Sequence, residues 1–153
     1  MANTYTQINM HVVFSVKGRE NILSAKIRPD IFKYISGILS NIEQFPLAVN
    51  GYKDHVHLFF EMQPTKSLSD IVRVVKTNSS KWINENRFVA GKFLWQEGYG
   101  GFSYSRSQRN NVIQYIIKQE EHHKVRTFKE EYLDLLKRFE INFDEQYIFE
   151  FYE

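Results

Sequence analysis

DHVHLFFE, residues 54–61, alternates with the two-residue period of an extended strand. His55, His57, Phe59 and Glu61 project from one face, and Val56, Leu58, Phe60 and the following Met62 from the other. The apolar set is the better core face, so the helices of the fold are expected there and the two histidines on the opposite side of the sheet. Side chains two residues apart on a strand stand about 6.5–7 Å from each other along the backbone, and two imidazoles so placed can converge on one cation. A His-x-His pair is also short enough to arise by chance. The rest of the chain has to separate these readings.

Upstream, Ile8 to Val16 alternates too, with Ile8, Met10, Val12, Phe14 and Val16 on one face and Asn9, His11, Val13 and Ser15 on the other. Between the two strands, Ile31, Ile35, Ile38, Leu39 and Ile42 recur at helical spacing after Pro29, a residue tolerated in a first helical turn. Leu47 to Tyr52 reads as a short strand, with Asn50-Gly51 as the bend before the histidine strand. Downstream, Pro64 ends the histidine strand, and Ser67 with Asp70 has the form of an N-terminal cap for a helix lined by Leu68, Ile71, Val75 and Trp82. The segment FLWQEGYGGFSYS, residues 93–105, ends in a fourth strand. The order β-α-β-β-α-β is the split βαβ pattern, an α+β ferredoxin-like fold with a four-stranded antiparallel sheet and two backing helices.

Two C-terminal helices extend this unit. Ser107 is placed to cap the first, with Val112, Ile113, Ile116 and Ile117 apolar, and Thr127 with Glu130 forms a capping box for the second, TFKEEYLDLLKRF. The acidic, aromatic tail INFDEQYIFEFYE stays unassigned. Without repeats or linkers, residues 1–153 read as a single domain, with a core sheet in 5–105 and an extension in 107–153.

A hydrophobic fraction of 42% supports one packed core. No apolar run approaches the roughly 18–20 residues that span a bilayer, and no basic stretch with an apolar signal core opens the chain, so a cytoplasmic protein is expected. The absence of cysteine excludes disulfides and thiolate zinc sites, leaving His, carboxylate or amide oxygen to hold any metal. The net charge of +2 hides an asymmetry. From Arg73 to Arg126 ten basic residues face four acids, whereas from Thr127 on three basic residues face eight acids. A basic middle points to a polyanion, and an ordinary solvated surface gives the same count.

Tyr115 and Gln119 stand at i and i+4 in NVIQYIIKQEEHH, on one face of a helix. A tyrosine hydroxyl is a candidate nucleophile toward phosphorus, and an amide oxygen is a hard ligand for a divalent ion. With nine tyrosines in the chain, a half-buried surface tyrosine is the plainer alternative. The stretches INMHVVFSVKGR, GYKDHVHLFFEM, VKTNSSKWIN, FLWQEGYGGFSYS and VIQYIIKQEEHH, in this order over roughly residues 5–140, together resemble the single-tyrosine HUH-type transposases of insertion sequence 200-like elements. In this sequence the His, bulky apolar, His motif is His55, Val56 and His57.

The resemblance implies that Tyr115 is the nucleophile and that His55, His57 and Gln119 hold a divalent cation, magnesium or manganese. It implies cleavage and rejoining of single-stranded DNA at hairpin-forming element ends through a 5′-phosphotyrosine link. It further implies a homodimer in which the tyrosine helix of one chain serves the histidines of the other. Arg73, Lys76, Lys81, Arg106 and Lys118 are the expected phosphate contacts, with Trp95 and Tyr99 as base-stacking partners. Thr77 follows Lys76 where many relatives have glycine, which bears on DNA contact and not on the chemistry. His122 and His123 are expected at exposed helix ends, His11 lies outside the ligand set, and no general base is evident. The alternatives are a non-catalytic nucleic-acid-binding module on the same sheet and a replication-initiating or conjugative HUH nuclease, which usually has additional domains.

Overall fold

The structure, a computed structural model, describes residues 3–152. Asn9–Ser15 form β1, Arg28–Asn41 α1, Phe45–Gly51 β2, His55–Glu61 β3, Leu68–Glu85 α2, Gly100–Tyr104 β4, Arg109–Ile117 α3, Gln119–His122 α4 and Phe128–Arg138 α5. The strands lie in the order β2-β3-β1-β4 and every neighbouring pair is antiparallel. This is the α+β, ferredoxin-like sheet that the alternating strands called for. Among the described residues, no helix is long and apolar enough to cross a membrane.

Strand register assigns the two faces. Ser15 pairs with His55, Val13 with His57 and His11 with Phe59, so these six side chains share a face. The opposite face carries Val12, Phe14, Val56, Leu58 and Phe60, buried with Ile31 and Ile35 of α1 and Ile71 and Val75 of α2. The histidine face is not left open, because the extension covers it. α3 packs Val112 and Ile116 onto Phe59, and each aliphatic side chain so buried contributes about 1.5–3 kcal/mol.

Polar anchors fix where α3 lies. At its start, Arg109 Nε donates to Asn9 Oδ1 at 2.8 Å, and the guanidinium also reaches Gln7 and Glu61. At its end, Asn50 Nδ2 donates to the carbonyls of Ile116 and Ile117, both at 3.0 Å. Two carbonyls of the last helical turn thus find a side-chain donor on β2. The helix stops there, at Lys118, and α4 begins anew at Gln119. Tyr115 and Gln119 therefore lie on two short helices and not on one continuous face.

Local signals held where they were self-contained. Ser67 Oγ accepts from Asp70 N at 3.1 Å, and Thr127 with Glu130 forms both halves of a capping box. Ser107 does not cap α3; its hydroxyl pairs with Ser105 and a 3-10 turn over Arg106–Gln108 leads into the helix. Asn50-Gly51 is not the bend either. β2 runs through Gly51, where a Cβ would lie 2.2 Å from the carbonyl oxygen of His55, and the chain turns over 52–54. The tail folds back: Phe149 is buried, and Glu150 exchanges two backbone hydrogen bonds with the side chain of Gln96.

Candidate active site

Both imidazoles of β3 are fully buried under α3–α5, and each has its Nδ1 tied down. His55 Nδ1 lies 2.7 Å from Asp54 Oδ1, and His57 Nδ1 lies 2.7 Å from His11 Nε2. With the outer nitrogens engaged, both Nε2 atoms face a common centre, the arrangement by which metal-ligating histidines are oriented. Gln119 Oε1 is 3.0 Å from His55 Nε2. Glu131 Oε1 is 3.2 Å from His57 Nε2 and 3.4 Å from His55 Nε2. The Tyr115 hydroxyl donates to Glu131 Oε2, which also accepts from Gln119 Nε2 at 2.9 Å. His123 Nε2 closes the group, 3.0 Å from Gln119 Oε1 and 3.1 Å from Glu131 Oε1.

α5 supplies Glu131 because of how its inner face is spaced. Phe128, Glu131, Tyr132, Leu135 and Leu136 are its buried residues, the i, i+3, i+4, i+7, i+8 stripe of an amphipathic helix with one carboxylate set into it. Gly100 on β4 lets that helix approach, since a Cβ there would lie 2.7 Å from Tyr132 Oη.

The charges of the group follow from burial and proximity. Burial alone would raise Glu131, but the imidazoles of His57, His123 and His55 outweigh it and hold the carboxyl far below the usual range. Burial pulls His55 down, and the Asp54 and Glu131 carboxylates more than offset this, lifting it to about 9. His57 is held down by burial, as is His11, with His57 beside it as a further cause. Burial, then the Glu131 carboxylate, push the Tyr115 phenol well up. The phenol keeps its proton in this arrangement, and Glu131 as an ionised, strongly stabilised carboxylate is a poor base for it.

The donor set suits a divalent cation. His55, His57 and Glu131 each offer a ligand atom, all fully buried and within 4.8 Å of one another, and the Gln119 amide oxygen adjoins His55. Two imidazoles with carboxylate and amide oxygens are nitrogen and oxygen donors of the kind that hold divalent ions.

The profile of the family described as Transposase IS200 like matches residues 4–119, which include β1–β4, Tyr115 and Gln119. The chain belongs to this family of transposases. This IS200-like transposase is 24% identical over 122 residues to ISDra2 transposase TnpA of Deinococcus radiodurans, across 74% of its own length and 84% of the relative's. Its fold is similar to that of a crystal structure from Deinococcus radiodurans R1 assigned to a transposase, with a TM-score of 0.60 and 20% identity over 76% of this chain and 94% of that one. It is also similar to a REP-associated tyrosine transposase bound to a REP hairpin, with a TM-score of 0.58 and 12% identity over 79% and 72% of the two chains.

Of the expected site residues of this IS200-like transposase, the fold brings His55, His57, Gln119 and Tyr115 together within one chain. Arg73, Lys81, Arg106 and Lys118 are exposed. Lys76 is turned inward instead: its ammonium donates to the carbonyls of Gln96 and Gly98, at 2.8 and 2.6 Å, and burial lowers it to about 8. Trp95 is packed in the core with its indole N–H on Ser79 Oγ, so it offers no open face to a base, whereas Tyr99 is half-buried. His123 corrects the expectation of an exposed helix end; its side chain is buried and stacks on Tyr52. Glu131 was not anticipated at all. The signal for it was an acid at i+3 on an otherwise apolar helical stripe, hidden by the acidic tail around it.

Proposed function

We propose that this chain cleaves and rejoins single-stranded DNA at element ends by transesterification, with Tyr115 as nucleophile and His55, His57 and Gln119 holding a magnesium or manganese ion. The observation that carries the reading is the meeting of the Tyr115 phenol with both histidines at one buried carboxylate, in a chain of a transposase family. Tyr115 Oη forms a bond to phosphorus, the bond from phosphorus to the 3′-oxygen breaks, and the phenol's proton is balanced by the one taken up at the departing 3′-hydroxyl. Attack of a 3′-hydroxyl on the resulting 5′-phosphotyrosine reverses these bonds and frees Tyr115. One phosphoester is exchanged for another, so no nucleotide hydrolysis is required. A bound divalent cation supplies charge withdrawal at the non-bridging oxygens and orientation of the phosphodiester.

Arg73, Lys81, Arg106 and Lys118 then meet DNA phosphates, while Lys76 acts through the 96–98 loop it holds. The hairpin on the REP-associated relative supports hairpin-forming ends as substrate. Because the site draws on both the core sheet and the extension, residues 1–153 act as one unit. The Tyr115 ring lies beside His57 within one chain, and the homodimer belongs to this reading as the form in which the tyrosine helix of one chain serves the histidines of the other. The protein works in the cytoplasm, where its DNA is.

Incubation with single-stranded DNA of the element ends and Mn2+ is expected to give a denaturation-resistant protein–DNA adduct, and Tyr115→Phe none. Binding without an adduct in the wild type, or an adduct from Tyr115→Phe, refutes the mechanism and favours a non-catalytic binding module.

A further inference from the structure

We propose that Glu131 is a direct ligand of the ion held by His55 and His57, and that its second oxygen positions Tyr115. The inference rests on the function proposed above and adds a residue from outside the family match, which ends at Gln119. Ligand atoms about 2.1 Å from a shared ion are separated by roughly 3.0–3.4 Å along an octahedral or tetrahedral edge. Glu131 Oε1 is 3.2 Å from His57 Nε2 and 3.4 Å from His55 Nε2, within that range. The carboxylate is fully buried, and no lysine or arginine is paired with it among the contacts the described residues make there.

The two oxygens divide the work. Oε1 faces the imidazoles, while Oε2 accepts from the Tyr115 hydroxyl and from Gln119 Nε2. Gln119 therefore turns its amide oxygen toward His55 and its amide nitrogen toward Glu131, so one side chain steadies both halves of the site. A single carboxylate linking the ion to the nucleophile fixes their separation within one chain, the order of precision that in-line attack requires. His123 Nε2, 3.1 Å from Glu131 Oε1, and α5, seated over Gly100, hold the carboxylate in place. The imidazole pair is what favours a first-row transition ion such as Mn2+ over Mg2+, and the carboxylate suits either ion.

The test is Mn2+ binding to the full chain, measured by the loss of the free-ion electron paramagnetic resonance signal and by the rise in thermal midpoint. Wild type, His57→Ala, Glu131→Gln and Glu131→Asp are compared, after circular dichroism in chelator has established that each is folded. One ion per wild-type chain is expected, lost in His57→Ala and weakened at least roughly 10- to 100-fold in Glu131→Gln. Glu131→Asp keeps the charge but withdraws it by one methylene, and an intermediate affinity is expected; it stands in should Glu131→Gln not fold. Equal affinity and equal thermal shift in wild type and both Glu131 variants overturns the inference, as does an absence of Mn2+ binding in the wild type. Glu131-dependent binding in a protein that forms no DNA adduct supports the ligand assignment while the transesterification reading fails.

Discussion

Replacing Gly100 by alanine puts a methyl group into the space that Tyr132 of α5 fills. The new Cβ would lie 2.7 Å from Tyr132 Oη, 2.8 Å from Tyr132 Cε1 and 3.1 Å from Phe102 Cε2, where ordinary contact starts at 3.4 Å. The ring has to retreat by about 0.6 Å or more, and Glu131, its neighbour on the helix, moves with it. Overpacking of this kind costs about 1–3 kcal/mol. At about 2–4 °C per kcal/mol for a chain of this size, Gly100→Ala is expected to melt roughly 2–12 °C below wild type in chelator. A further loss of the Mn2+-induced stabilisation is expected, because the carboxylate is drawn away from the histidines. Gly101→Ala is the matched control on the other face: the one tight contact of its Cβ would be the flexible end of Leu68, at 3.1 Å, with Met10 Cε and Tyr99 Cε2 at ordinary distances of 3.7 and 3.8 Å. It is expected to melt closer to wild type and to keep the full Mn2+ response. If Gly100→Ala melts with wild type, or if both alanines change the Mn2+ response alike, then α5 is not seated on β4 as described and Glu131 is not positioned by that contact.

Three other outcomes check separate parts of the reasoning. Asn50→Ala removes the donor to the Ile116 and Ile117 carbonyls and is expected to lower the free energy of unfolding by about 1–3 kcal/mol in urea titrations; an unchanged midpoint and slope would mean that α3 ends there for another reason. In chelator, His55 is raised to about 9 from 6.5, so its contribution, of order 3 kcal/mol, is fully present below pH 6.5 and lost as pH rises through 9. Stability of the metal-free protein should fall across that window, and His55→Gln should remove the fall; a flat profile in wild type contradicts the Asp54 and Glu131 pairing. Arg73→Ala with Lys81→Ala should weaken single-stranded DNA binding for every sequence alike and reduce the salt slope by roughly 0.7 per lost phosphate contact, whereas an unchanged slope places the DNA elsewhere.

Short-range patterns were enough for the frame. Alternation in Ile8–Val16 and in DHVHLFFE assigned two central strands and both of their faces, because side-chain direction in a strand depends only on residue parity. Ser67 and Thr127 announced helix starts through bonds that span three residues. The histidine pair, Tyr115 and Gln119 were legible as donors of the right chemical types, and the family resemblance tied them together.

Other features depended on contacts between distant parts of the chain. Asn50 donates to a carbonyl at the end of α3 across 66 residues, where the helix stops between Tyr115 and Gln119. His57 meets Glu131 across 74 residues, a carboxylate that in sequence is one more acid in an acidic tail. Lys76 and Trp95 read as DNA contacts until packing turned one toward backbone carbonyls and the other into the core. Residue type and local spacing suffice to say which residues could do the chemistry and which way the strands face. Tertiary structure decided which donors share one centre, because only the docking of α3 and α5 on the histidine face brings Tyr115, Gln119 and Glu131 within hydrogen-bond reach of β3 or of one another.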